Sequence, residues 1–332
     1  MNSNKSYVVI GGGTGTFSVL SGLKKYSDNI TAIVSMADSG GSAKKEKDEW
    51  GLLPSSDIRK SLLALTDVSD KNSLIVRKLF EYRFAKGVGL SGMTFGNLLL
   101  VALSKITNSQ TKAIELAGEL LRIKGKVLPV SMDKVELRAV YNDGTVITGE
   151  HNIDEPRHDG RLKIVRLSTV PPAEISPPVK ETIAKADVLI IGPGGFYTTL
   201  IANLVVKGVS SAISKSKAAK IFILNIMTEF GQTYGFTAST FLHELKNYFD
   251  VSTLNYVLIN DRPPGNDILI KYQKFHAQPV INDLGNRNSF KVISADLLSN
   301  KLVRKQPGDR LNRSLIRHDP DKLAKICLNI TR

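Results

Sequence analysis

Three short runs of glycine, serine and threonine, each set just after an apolar stretch, are the places where this chain could do chemistry. Gly11, Gly12, Gly13, Thr14, Gly15 and Thr16 follow Val8, Val9 and Ile10; Gly192, Pro193, Gly194 and Gly195 follow Val188–Ile191. With no Cβ in the way, successive backbone N–H groups can close around an anion. A helix starting there adds the positive end of its dipole, and phosphate is the usual guest. The third run, Asp38, Ser39, Gly40, Gly41 and Ser42, opens with a carboxylate. Such a group can bind a ribose hydroxyl or share a Mg²⁺ ion with phosphate oxygens. Asp57 and Arg59 lie a little further on. The guanidinium suits bidentate contact with phosphate, and the carboxylate suits either the same site or the cap of the helix that follows.

The first run approaches two phosphate-binding fingerprints and completes neither. A P-loop closes on Gly-Lys-Ser/Thr, whereas Gly15 is followed by Thr16 and Phe17. The dinucleotide pattern G-x-G-x-x-G fits Gly11 and Gly13 but meets Thr16 in third place, and Asp38 stands slightly beyond the usual ribose-binding distance. Five histidines (151, 158, 243, 276 and 318) form no metal-ligand spacing, and no G-x-S-x-G elbow occurs. The histidines read as surface or packing residues.

The elements that must position these loops follow from periodicity. Val8–Ile10 form a continuous β-branched run, as in a strand buried on both faces. Phe17, Leu20 and Leu23 lie on one face of a helix that ends near Lys24 and Lys25. Strands are predicted near 7–11 and 30–36 and helices near 57–66, 73–84 and 95–106, with the stretch between the second strand and Asp57 read as loop. "NSQTKAIELAGELL" reads as another helix, before a strand opening at "KVLPVSM". Over 127–170 apolar and polar residues alternate around Asn142-Asp143-Gly144, a hairpin signal and an antiparallel excursion. "DVLIIG", "KIFILNI" and "LNYVLIN" are buried-strand candidates separated by helical stretches. This rhythm predicts an α/β, Rossmann-like three-layer fold with a mainly parallel sheet of about six strands, in a single domain over 1–332. In such a sheet the loops after neighbouring strands share one crevice.

The 332 residues suffice for a substantial core; apolar content is 42% and charged content 23%. Net charge is +14, and residues 291–332 carry ten Lys/Arg against four Asp/Glu. No aromatic–basic or zinc-finger motif accompanies that charge, so it reads as a solvated face and nucleic acid is not an expected partner. The run "LLLVAL" falls far short of the ~20 residues of a membrane span. No apolar leader opens the sequence, and the one cysteine, Cys327, excludes an internal disulfide. A cytoplasmic location is expected.

The chain resembles the CofD-like superfamily, and more closely its bacterial gluconeogenesis-factor (YvcK-type) branch. The matching segments are "IGGGTGTFSVLSGLKKY", "ITAIVSMADSGGS", "LPSSDIRKSLLALTD", "FGNLLLVAL", "IGPGGFYTTLIANLVVKGVSSAI", "NIMTEFGQTYGFTASTFLHEL" and "IRHDPDKLAKI". They run the length of the chain. Ser39 stands where the branch usually has a second acidic residue, Ala43-Lys44 where it has Ser-Gly, and Ser55-Ser56 and Lys60 where it has Pro-Gly and Asn. "GMTFGN" lacks a histidine common before the Gly-Asn pair.

The resemblance implies a Rossmann-like fold, a homodimer and a nucleotide diphosphate in the crevice. In the gluconeogenesis-factor branch this ligand is a UDP-sugar, bound by a protein that supports growth and cell-wall morphogenesis on gluconeogenic carbon sources through a regulatory partner not identified by sequence. The other branch, 2-phospho-L-lactate transferase, implies a metal-dependent enzyme acting on a guanylyl carrier, with Asp38 on Mg²⁺ and GDP as the related ligand. An NAD(P)-binding oxidoreductase is a third reading, favoured by the partial fingerprint. The resemblance adds Asn97, Tyr197, Thr198, Asn225, Thr228, Glu229 and Arg317 to the expected nucleotide-binding set. For Arg317 the local sequence agrees, since Asp319 and Pro320 mark a helix start just beyond it.

Overall fold

A computed structural model describes residues 4–87, 89–285, 288–302 and 314–331. Residues 303–313, part of the basic tail, lie outside the described residues. Seven parallel strands form the main sheet: β1 (Tyr7–Gly11), β2 (Ile30–Val34), β3 (Lys126–Pro129), β7 (Val188–Ile191), β8 (Ala219–Ile223), β9 (Tyr256–Asn260) and β10 (Lys291–Ala295). They lie in the order β10-β9-β8-β7-β1-β2-β3. Sequence periodicity had accounted for about six; the additional strand, β10, is an edge strand without a fully buried residue, so its apolar signal is faint.

The order reverses at β1. From there the chain steps outward to β2 and β3, then returns to pair β7 on the other side of β1, with Tyr7 opposite Val188 and Ile10 opposite Ile191. A parallel sheet binds ligands in the crevice outside its strand C-termini at this kind of switch point. Both faces of the sheet are covered. Val8, Ile10, Leu189 and Ile191 enter one buried cluster while Tyr7, Val9, Val188 and Ile190 enter the other, as the two-residue strand period requires.

α1 (Gly13–Leu23) joins β1 to β2, and α2 (Gly41–Trp50), α3 (Ser56–Leu65), α4 (Lys71–Glu81), α5 (Phe95–Thr107) and α6 (Gln110–Leu120) run in succession between β2 and β3. α2 corrects the expectation of a loop there. Its sequence, GSAKKEKDEW, has little apolar periodicity, and it is stopped by Gly51 at φ +66°.

The antiparallel excursion is present but larger and later than a hairpin over 127–170. β3 belongs to the main sheet, and the separate sheet is β5-β4-β6, made of β4 (Glu136–Tyr141), β5 (Val146–Thr148) and β6 (Ile164–Val170). Asn142–Thr145 turns β4 into β5 as the Asn-Asp-Gly signal requires, with Val140 opposite Val146. Leu137, Ala139, Ile164 and Leu167 join the cluster on one face of the main sheet, so the two sheets share a core. Between β5 and β6 sits a short helix, α7 (Glu150–Asp154). Among the described residues no helix is long and apolar enough to cross a membrane.

Candidate functional site

The loops after β1 and β7 are packed on each other at the switch point. A Cβ on Gly15 would lie 2.5 Å from the Pro193 carbonyl oxygen, so glycine is required there by loop-on-loop contact. Thr16 Oγ1 donates to that same carbonyl at 3.2 Å. Asn203, wholly buried, donates Nδ2 to the carbonyls of Gly11 (3.1 Å) and Thr199 (2.6 Å); Asn225 donates to Gly194 O at 2.8 Å. These amides tie the loops to the strands behind them.

Gly13 differs from its neighbours. Its φ is +65°, and a Cβ built on it would meet nothing nearer than Thr199 Cγ2 at 3.8 Å. The backbone conformation calls for glycine while the space beside it is open. Gly12 and Gly195 precede α1 and the π-type turn Phe196–Ile201, and neither helical start receives a side-chain cap. Thr14 is half-buried in the first turn of α1, and Gly192 supports the second loop with φ +74°. Elsewhere Asp70, Thr94, Ser109 and Thr237 accept from N–H groups of their own first turns, while the helix starts at Ser176, Gly208 and Gly265 are uncapped as well.

The loop after β2 supplies the acidic wall. Asp38 Oδ1 accepts from Gly40 N at 2.9 Å, and Gly41 and Ser42 open α2. Ser39 Oγ accepts from His151 N at 3.0 Å, which docks α7 over this loop. α7 brings Glu150 and Asp154 into the crevice. Burial, then the facing carboxylates of Asp38, Asp154 and Asp57, hold the Glu150 carboxyl well above its ordinary range, and Glu150 shares a hydrogen bond with Asp38. Asp154 is exposed to solvent on its outer side. The surrounding walls raise its carboxyl too, against hydrogen bonding by Gln232 (3.1 Å) and the Lys60 charge.

Thr198 Oγ1 approaches Asp154 at 3.4 Å, so the third loop and α7 meet. Glu229 lies beside them with Oε2 shielded from solvent and without a hydrogen-bond partner among the described residues. Burial, and then the Asp154 charge, push its carboxyl up to about 8. Among the described residues no three His, Cys, Asp or Glu side chains are arranged to hold a metal ion between them.

Other expected residues have structural assignments. Asp57 does not cap α3: it is in the first turn, against Gly12, with Oδ1 2.8 Å from Lys60 Nζ, and Ser55 occupies the cap position. Arg59 is buried with its stem against Gly96. Asn97, also buried, donates to Glu46 Oε1 at 2.7 Å, while Ser55 N donates to Glu46 Oε2 at 2.8 Å; Glu46 therefore knots α2, α3 and α5 together. Tyr197 turns away from the crevice into the core, where its hydroxyl donates to Ile164 O at 3.3 Å. Thr228 is buried and clasps Gln278 through backbone and hydroxyl bonds of 2.8 and 3.0 Å. Arg317 is half-buried beside His318, which is fully buried and hydrogen-bonded to the Leu224 backbone just past β8, so this segment reaches the crevice end of the sheet. Asp319 caps the helix Pro320–Ile330 as expected.

Glu150, Asp154, Lys60 and Asn203 escaped the sequence reading. The acidic pair sits on a short helix brought in from a separate sheet, and only tertiary packing reveals it. The Asn203 signal is available in retrospect: a lone polar residue within the apolar LIANLVV.

A parallel sheet that reverses its order between two glycine loops defines a Rossmann-like α/β protein. Residues 7–298 match the family described as 2-phospho-L-lactate transferase CofD. The chain belongs to this family. A protein of Thermotoga maritima is 40% identical over 326 residues, covering 98% of this chain and 99% of its own. The Bacillus subtilis protein named gluconeogenesis factor is 34% identical over the whole of both chains. A crystal structure of a UPF0052-family protein from Bacillus halodurans matches with a TM-score of 0.87 at 35% identity, covering 99% of this chain and all of that one.

Proposed function

We propose that this chain is a cytoplasmic gluconeogenesis factor that binds a nucleoside diphosphate sugar, of the UDP-N-acetylglucosamine kind, in the crevice between the loops after β1, β2 and β7. The observation that carries the reading is the open side of Gly13. α1 begins beside that space with no side-chain cap on its first turn, at the switch point where α/β sheets take ligands. The names of its relatives supply the link to gluconeogenesis; control of growth and wall synthesis on gluconeogenic carbon, as a homodimer acting through a partner protein, is part of the proposal. Calorimetric titration with UDP-N-acetylglucosamine, GDP and NAD tests it. Saturable binding of the UDP-sugar tighter than the other two is the expected result; NAD binding alone would replace this reading with the oxidoreductase one.

The name of the matching family favours a second reading, a phospholactate-type transferase. The carboxylates of Asp38 and Glu150 are hard oxygen donors that suit Mg²⁺, which takes its remaining ligands from water and phosphate. Bound there, Mg²⁺ would neutralise phosphate charge during transfer. The protein's own part is to fix the diphosphate against the glycine loops. Asp38→Asn separates the readings: metal-dependent transfer falls at least a hundredfold if the carboxylate carries it, while a sugar-nucleotide binder loses affinity modestly and with no dependence on metal. Transfer at the parental rate in Asp38→Asn would remove Asp38 from the metal role.

A further inference from the structure

We infer that Lys60 is the cation that grips the ligand's diphosphate, releasing Asp57 to do so. The inference rests on the nucleotide reading above. Lys60 Nζ lies 2.8 Å from Asp57 Oδ1, with the two side chains 22% and 12% exposed, so the ammonium is partly enclosed at the crevice rather than free on the surface. Its position follows from Asp57, whose other oxygen is pressed against Gly12: a Cβ there would overlap Asp57 Oδ2. The ammonium thus stands beside the loop that leaves open space at Gly13. Its charge is also felt on the opposite wall, where it draws down the Asp154 carboxyl.

The neighbouring cation does not compete for this role. Arg59 is buried, its stem packed where Gly96 and Phe80 meet. Around Lys60 the crevice is otherwise acidic, with Asp38, Asp57 and Asp154 all close enough to Glu150 to act on its carboxyl. A diphosphate entering so acidic a space needs a fixed positive charge at the glycine loop. Lys60 has it, together with three N–H donors and a flexible stem that reaches from the carboxylate to a phosphate oxygen. The ion pair with Asp57 keeps the ammonium aimed while the site is empty. Binding exchanges one anionic partner for another, and a divalent cation is not required for it.

The test is calorimetric titration of the full chain with UDP-N-acetylglucosamine, UDP and UMP in EDTA, then in Mg²⁺, for the parent, Lys60→Gln and Lys60→Arg. The parent should bind the two diphosphates in EDTA. Lys60→Gln should weaken both at least tenfold and UMP much less, and Lys60→Arg should recover most of the loss. Circular dichroism and melting of each variant separate lost binding from lost fold. A parent that binds in EDTA beside a Lys60→Gln variant within twofold of it overturns the role of Lys60 and leaves the nucleotide reading standing. Binding by the parent only in Mg²⁺ overturns it equally. A parent that binds none of the three, with or without Mg²⁺, ends both.

Discussion

A valine at Gly13 meets two penalties at once. At φ +65° a β-branched residue is strained by about 1–3 kcal/mol, and its side chain projects into the space where phosphate is proposed to sit. Gly13→Val is expected to remain folded with a lowered urea midpoint and to lose nucleotide binding by calorimetry; parental affinity would place the ligand elsewhere. Arg317 presents a different case, since it is not among the positive-φ positions and its substitution adds no backbone strain. Arg317→Ala is expected to weaken UDP-sugar binding tenfold or more, in line with about 1.5–3 kcal/mol for a charged hydrogen bond. Exposed Lys325, on the helix that follows, serves as the control for general attraction. Equal losses for Arg317→Ala and Lys325→Ala, both vanishing in high salt, would mean the segment is merely basic.

Between elements, the glycine loops act as a fitted joint before they act as a cradle. Gly15→Val should destabilise the chain by several times the cost of Gly13→Val in chemical denaturation, because the Pro193 backbone 2.5 Å from its Cβ position has no free space behind it. Similar losses for the two would mean the β7 loop yields easily. Such joints are only half visible in a sequence. Val8–Ile10, the Asn142-Asp143-Gly144 turn and the Asp319-Pro320 helix start are legible because each carries its own local cause: β-branched burial, a turn conformation, a capped first turn. α2 is not, since its lysine-rich sequence lacks an apolar stripe and Glu46 anchors it through Ser55 and Asn97. For the same reason Asn97 reads as a ligand residue from resemblance while its amide is already engaged. Nor could spacing place Glu150 beside Asp38, because a separate antiparallel sheet carries it there.

At the scale of the whole molecule, stability should respond to pH through buried groups of opposite sign, Glu46 and His318 among them. Burial pushes Glu46 up to about 7, so the fold prefers its protonated form; that contribution is full below the unfolded value near 4.5 and is lost as pH rises through 7. Burial draws His318 down to about 4, so the fold prefers neutral imidazole; that contribution is full above about 6.5 and is lost as pH falls towards 4. Each shift corresponds to about 3 kcal/mol. Urea denaturation of Glu46→Gln against the parent should show the variant gaining on the parent between about pH 5 and pH 7 and levelling off above that. A constant difference would mean that Glu46 does not titrate across that range.

The reversal of strand order at β1 also sets a timetable for synthesis. β1 pairs early with β2, but its other edge must wait for β7, with Tyr7 opposite Val188. At about 5–20 residues per second, a ribosome leaves that apolar edge without its neighbour for roughly ten seconds or more. An uncovered row of N–H and C=O groups on a buried-type strand invites pairing with other chains. Nascent chains arrested short of β7 should therefore recruit holdase chaperones or aggregate, and protease resistance should rise abruptly once β7 emerges.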